Sequence, residues 1–254
     1  MSDHWYHVDG TAAHVQPSAD GKRMVPTTLT HARRLRLLPS VTTILNVIDK
    51  PQLTAWRVRN ALRYAYQTPP DAGEGADAYV ARVEALATAQ TTTAAADEGS
   101  RIHAAIEASF KGEDYDPQYR PHVEAVYREL ALKFPADDWV AESRVVSVTH
   151  GYAGTCDLHS RHANVVLDFK CKDFVTLDKR MAFDQHRQLA AYAHALDMHD
   201  ATLVNVFVSR TKAGLVMINE WNTDAFEDGW SVFSAAAALW RTIKRYDPRG
   251  REDL

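Results

Sequence analysis

Two runs of β-forming residues separated by a short polar stretch, Gly151-Tyr-Ala-Gly-Thr-Cys-Asp157 and Val165-Val-Leu-Asp168-Phe-Lys170, constrain the fold of this chain more than any other segment. The apolar residues on either side of the turn-prone cluster Ser160 to Asn164 predict two paired antiparallel strands. Side chains alternate faces along a strand, so Asp168 and Lys170 share one face while Val165, Leu167, Phe169 and Cys171 line the other, on the core side. A turn centred between His162 and Ala163 sets residues whose numbers sum to 325 opposite one another, and Asp157 then faces Asp168. Two carboxylates about 5 Å apart repel. The pair requires a cation, which Lys170, a divalent metal or both could supply.

The 254 residues suffice for one large domain with a substantial core. A 46% hydrophobic and 24% charged composition is that of an ordinary globular protein rather than a disordered one. The N-terminus lacks a basic region followed by an apolar run, and no apolar stretch approaches the roughly 20 residues that span a bilayer. A cytoplasmic protein without a membrane partner is expected. Two cysteines, Cys156 and Cys171, both within the paired strands, are too few for a metal cage of cysteine alone and read as reduced, buried thiols pointing away from the carboxylates. Net charge is −4, but it is unevenly spread: residues 1–68 carry 9 Lys+Arg against 4 Asp+Glu, residues 69–140 carry 6 against 14, and residues 141–254 carry 14 against 15. A polyanion touching the basic N-terminal part fits this distribution; so does a mixed solvated surface.

Along the chain, short strands are expected at His4–Val8 and around Arg23–Thr30, followed by a basic cluster of Arg33, Arg34 and Arg36. Ser40 is an N-cap candidate for a helix through Val41, Ile44, Leu45 and Ile48, and Pro51 opens a second helix to about Gln67. That helix interleaves Arg57, Arg59 and Arg63 with Trp56, Tyr64 and Tyr66, a combination that stacks bases and holds phosphates, or else marks the core and solvent faces of one helix. Further helices are expected at Glu74–Gln90, from Asp97 through Phe110, and at Pro117–Phe134; the Ala- and Thr-rich run 91–96 lies between the first two. His103 and Glu107, one turn apart, share a helix face. The second half changes character: strands at Trp139–Val148, at the opening pair, and at Ala201–Ser209 and Leu215–Trp221, with helices at Phe183–His199 and Phe226–Tyr246. The order predicts an α/β (α+β) fold, a mixed sheet of about five strands flanked by helices. A mostly helical N-terminal region over 1–96 would precede a core over 97–254.

Asp168-Phe-Lys170 alone decides nothing, because an acid-x-Lys tripeptide is expected about once by chance in a chain of this composition. Its context is more specific. His103 in Glu98-Gly-Ser-Arg-Ile-His-Ala-Ala-Ile-Glu107, Asp157 after a glycine-containing approach, Asp168-Phe-Lys170, and Gln188-x-x-x-Tyr192 follow in order. Together they resemble the PD-(D/E)XK nucleases, within that superfamily the RecB-like branch of phage exonucleases, the RecB nuclease domain and the mitochondrial genome maintenance exonuclease. Pro39-Ser-Val-Thr-Thr-Ile-Leu and the later Trp56 are similar to the leading segment of the phage and mitochondrial members. The likeness runs from about residue 39 to 192.

The resemblance implies a restriction-endonuclease-like core and a metal-dependent DNA exonuclease that leaves 5′-phosphates and 3′-hydroxyls, in phage or prophage recombination or DNA processing. It implies Mg²⁺ or Mn²⁺ held by Asp157 and Asp168, with His103 and the Phe169 carbonyl completing the shell, and Lys170 orienting or helping to deprotonate the attacking water. Oxygen ligands suit hard cations, and an imidazole tilts the preference toward Mn²⁺. Gln188 and Tyr192 would contact DNA and position the site, Glu107 and Glu142 would support it, and Ser40, Thr42, Arg57 and Arg59 would touch DNA. Each has a plainer reading: an exposed Asp168–Lys170 ion pair, a surface His103, solvated glutamates, a helix packed through Tyr192. The second acid is Asp where many superfamily members have Glu. Cysteines for an iron-sulfur cluster are missing from the sequence, as is a Walker motif, so neither that cluster nor a nucleotide cofactor is expected. Linear DNA with a free end is the expected partner, with a single-strand annealing or other recombination protein as a second, in a bacterial or phage-infected cell. A structure-specific or restriction-like endonuclease and a noncatalytic DNA-binding subunit are the alternatives.

Overall fold

The computed structural model describes residues 3–18, 20–92, 94–173, 175 and 184–249. Its centre is a five-stranded mixed sheet in sequential order: β5 (Val140–Ser147), β6 (Tyr152–Ser160), β7 (Val165–Lys172), β8 (Thr202–Ser209) and β9 (Val216–Glu220). β7 and β8 run parallel and the other neighbours antiparallel. A parallel pair needs a crossover, and α7 (His186–Ala195) lies in the connection. The expected register holds, with Leu158 opposite Leu167, His159 opposite Val166 and Ser160 opposite Val165.

Both faces of the sheet are covered, which explains the long apolar runs in β7 and β8. On one face, Leu167, Phe169, Val204 and Val206 pack with Ile102 and Ile106 of α5 (Ala94–Lys111) and Val123 and Leu130 of α6 (Arg120–Lys133). On the other, Tyr152, Cys156, Val166 and Leu203 pack with Leu189 of α7 and with Phe233 and Trp240 of α8 (Ala225–Lys244). The N-terminal region joins this second core: Trp5 is fully buried and clusters with Val41, Ile44 and Trp240.

Several boundaries differ from expectation, each for a local reason. The first strand shortens to β1 (Trp5–Tyr6), paired with β4 (Leu38–Pro39), and the second becomes β3 (Met24–Pro26), paired with β2 (Val15–Pro17). It stops there because Thr28 caps α1 (Leu29–Leu35), which carries Arg33 and Arg34 and ends at Arg36 in the left-handed region. α2 spans only Val41–Leu45, so Ile48 lies beyond it; Ser40 is its cap, accepting the Thr43 N–H at 3.0 Å. α3 (Pro51–Gln67) follows, with Pro51 in the first turn. α4 (Ala76–Thr92) starts later than expected because Glu74 is taken by the Asp71 N–H and by Arg82. α5 begins at Ala94 and crosses the expected 96/97 boundary. A short 3₁₀ turn at Pro117–Tyr119 leads into α6. The expected start at Phe183 lies outside the described residues; α7 ends at Ala195, and Asp197 turns the chain with φ 55. Among the described residues no helix is long and apolar enough to cross a membrane.

Candidate metal centre

The paired strands carry the site at the point where their regularity breaks. In β5 and β6 the residue pairs on either side are in register, but Glu142 and Asp157 do not pair, and Glu142 has φ 51. That left-handed conformation is costly for a side chain with a Cβ. Face alternation changes phase there: Val145 and Cys156 pack toward α7 and α8, whereas Ala141 and Leu158 pack toward α5 and α6. Asp157 thus lies at a pivot between the two faces, and the β6–β7 ladder also stops at Leu158. The Asp157 carboxylate takes the place of the next ladder bond, accepting the Phe169 N–H at 2.8 Å.

Around this pivot the expected residues come together from five elements, α5, β5, β6, β7 and α7. His103 on α5 points its Nε2 at Asp157 Oδ2, 3.6 Å away, and at Glu142 Oε1, 3.9 Å away. Its ring also meets Phe169 edge-on at 5.9 Å. Lys170 donates to Asp168 Oδ1 at 2.6 Å, the same-face pairing that strand alternation predicts. Gln188 on α7 donates to Asp168 Oδ1 at 3.2 Å and lies 3.0 Å from the Tyr192 hydroxyl. Tyr192 packs against Gly154, where a Cβ would sit 2.7 Å from its ring, so glycine is required for α7 to approach β6 this closely. Glu107 pairs with Lys111 and also brings a ligand atom into one group with His103 and Glu142, all within 4.8 Å.

Sequence reasoning missed Asn205. Its Nδ2 donates to Asp168 Oδ2 at 3.1 Å, and its Oδ1 accepts from Trp221 Nε1 at 2.8 Å. Asp168, 2% exposed, is therefore held by a lysine and two amides. The available signal was an asparagine within the apolar run Leu203-Val-Asn-Val-Phe-Val, where only a partnered polar group is tolerated.

The electrostatics are those of partly desolvated acids facing two basic side chains. Burial and the neighbouring Asp168 push the Asp157 carboxyl up to about 7, against the pull of His103 and Lys170. For His103, burial opposes the imidazolium, but Glu142, Asp157 and Asp168 outweigh it and raise the pKa. Lys170 is likewise raised: Asp168 and Asp157 overcome the cost of its burial, so it stays cationic at neutral pH. A cleft of about 490 Å³ opens beside these groups, lined in part by Ser100, His103, Glu107, Phe169, Lys170 and Arg210. Cys171 also lines it, so this thiol borders the cleft instead of turning away; burial holds it in the thiol form, pushed up to about 11. Cys156 is fully buried.

Ser40 is buried, with its hydroxyl engaged by the Thr43 N–H and 3.0 Å from Thr42 Oγ1, while Thr42, Arg57 and Arg59 are exposed. A second potential ligand group, Asp137, Asp138 and His162, is exposed, and its Asp138 braces the β6–β7 turn by accepting the Arg161 and His162 N–H groups.

Carboxylate oxygens and one imidazole form a donor set suited to a hard divalent cation with some nitrogen tolerance. Burial first and Asp168 second disfavour the Asp157 anion, and a bound cation would favour it. Comparison of the sequence with protein-family models and with curated proteins finds no match, so the reading of this centre rests on its own chemistry.

Proposed function

We propose that the protein is a metal-dependent deoxyribonuclease with a restriction-endonuclease-like core of the PD-(D/E)XK type, acting as an exonuclease on linear DNA in phage or prophage recombination or DNA processing. The observation that carries this reading is the pivot itself: a half-buried Asp157 beside His103, with the Asp168–Lys170 pair one residue past the broken ladder and a cleft open to solvent beside them. A structural ion pair would need neither the second carboxylate nor the strained Glu142.

In this reading Asp157, Asp168 and His103 hold Mg²⁺ or Mn²⁺, with the Phe169 carbonyl and Glu142 or Glu107 as further oxygen donors. The ion supplies a lowered pKa for bound water and offsets charge on the phosphate. Lys170, kept protonated by its two carboxylate neighbours, donates to the attacking water or a phosphate oxygen and offsets charge developing there. Its raised pKa argues against a role as the base. Gln188 and Asn205 hold the Asp168 carboxylate by its two different oxygens, Oδ1 and Oδ2. Tyr192 fixes Gln188 in turn. The products are a 5′-phosphate and a 3′-hydroxyl.

The test is digestion of DNA labelled at the 5′ or the 3′ end, single- and double-stranded, with Mg²⁺ or Mn²⁺ against a chelator control. Degradation that disappears in Asp157→Ala and Lys170→Ala, at matched folding, is expected. Undiminished activity in either variant would remove the site assignment. Cleavage of circular single-stranded DNA would replace the exonuclease with an endonuclease, and absence of both cleavage and metal binding near Asp157 would leave a noncatalytic DNA-binding subunit.

A further inference from the structure

α3 turns the wrong side to solvent for an ordinary surface helix. Trp56, Val58, Leu62 and Tyr66 are 50%, 53%, 64% and 91% exposed, while Asn60, Ala61, Tyr64 and Ala65 are only half-buried on the other side. The helix meets α4 on that other side, where the Tyr79 hydroxyl donates to the Ala65 carbonyl at 2.8 Å. At 3.6 residues per turn, the exposed apolar residues fall on one half of the helix together with Arg59 and Arg63. A surface helix normally buries its large apolar side chains and exposes its small and polar ones. Here the assignment is inverted, and a contiguous exposed apolar surface of this kind marks an interaction site.

The charge on the same helix says what would cover it. α3 contains three arginines, Arg57, Arg59 and Arg63, and no acidic residue. None of the three has an ion pair among the described residues. Trp56, Arg59, Arg63 and Tyr66 form a stripe with a ring at each end and two guanidinium groups between. Its length, at 1.5 Å per residue, is about 15 Å, which spans about four nucleotides at the ~3.4 Å per-strand spacing of stacked bases.

We infer that this face of α3 is a stacking platform for single-stranded DNA, with Trp56 and Tyr66 against unpaired bases and Arg59 and Arg63 on the intervening phosphates. A single strand offers both required chemistries, planar apolar faces and regularly spaced negative charge, and a duplex hides the first. The choice of DNA over RNA rests on the nuclease reading; the stacking surface itself does not.

The experiment measures binding of the full chain to fluorescein-labelled oligo(dT) of 30 nucleotides by anisotropy in EDTA, where no hydrolysis occurs. The W56A/Y66A double variant is expected to bind at least about 30-fold more weakly, and R59A/R63A to lower the slope of log affinity against log salt by about 1.4. Neither should weaken binding to a blunt duplex of the same length by more than twofold. All these positions are exposed, so unchanged thermal unfolding checks the fold. Binding by both variants within twofold of the wild type overturns the inference. So does an equal loss on the duplex, or a wild type that binds vesicles of anionic lipid but not the oligonucleotide. Retained stripe-dependent binding without any Mn²⁺-dependent cleavage would overturn the nuclease reading and leave the platform standing.

Discussion

Replacing Asp157 with Asn is expected to stabilise the metal-free protein while abolishing its response to metal. Burial and Asp168 push the Asp157 carboxyl from 3.8 to about 7. Between those values the folded state holds a proton that the unfolded chain has released, so this group's contribution is full at low pH and is lost as pH rises through the folded value. At about 1.4 kcal/mol per pH unit, ionised Asp157 costs on the order of 4 kcal/mol at pH 8. His103, also raised, acts in the same direction, its stabilising contribution fading as pH climbs past its folded value. Asn mimics the protonated acid and can still accept the Phe169 N–H through its Oδ1. Urea unfolding in EDTA at pH 5 and pH 8 should therefore show the variant more stable than the wild type at pH 8, by up to about 4 kcal/mol, with the gap narrowing at pH 5. Adding Mn²⁺ at 100 times its dissociation constant should raise wild-type stability by about 2.7 kcal/mol and leave the variant unmoved. A variant less stable than the wild type at pH 8, or one that gains equally from Mn²⁺, would refute both the strained carboxyl and its place in the metal centre.

Gly154→Ala would drive a Cβ to 2.7 Å from the Tyr192 ring, and overpacking of that kind costs about 1–3 kcal/mol, read as a lowered urea midpoint. Asn205→Ala leaves Asp168 Oδ2 and Trp221 Nε1 without their partner; a loss of about 1–3 kcal/mol is expected by the same measurement. Ser40→Ala removes the α2 cap and should cost about 0.5–2 kcal/mol while leaving oligonucleotide affinity within twofold, since the hydroxyl is engaged inside the fold. Gln188→Ala frees Asp168 Oδ1 from one of its donors, and a drop in kcat of at least tenfold on linear DNA at unchanged thermal stability would mark it as a positioning residue.

How much of this was legible beforehand depended on how local the physics is. Strand alternation and a single turn fixed the β6–β7 register, because a period of two leaves one way to bury Leu167 and Phe169 while pairing Asp168 with Lys170. The α3 start at Pro51 and the Ser40 cap followed from backbone chemistry within a few residues. Boundaries failed where a polar side chain took a capping or pairing role that periodicity does not register: Thr28 ended a strand by capping α1, and Glu74 was drawn off to Asp71 and Arg82.

The sequence by itself determined the element order, the mixed sheet between helices, and the residues from which a metal centre could be assembled. Only the tertiary structure decided how they meet. Alternation along isolated strands sets Asp157 opposite Asp168, yet the phase change at Glu142 and the broken ladder turn Asp157 to the Phe169 N–H and to His103, because a half-buried carboxylate needs donors that its own strand does not provide. Asn205 entered through β8, paired in parallel across a crossover that no local pattern encodes. The exposed face of α3 was likewise invisible in sequence, where Trp56 and Tyr66 are as consistent with a core as with a surface. Periodicity says which residues share a face, but which face a neighbour covers is settled only when the chain packs.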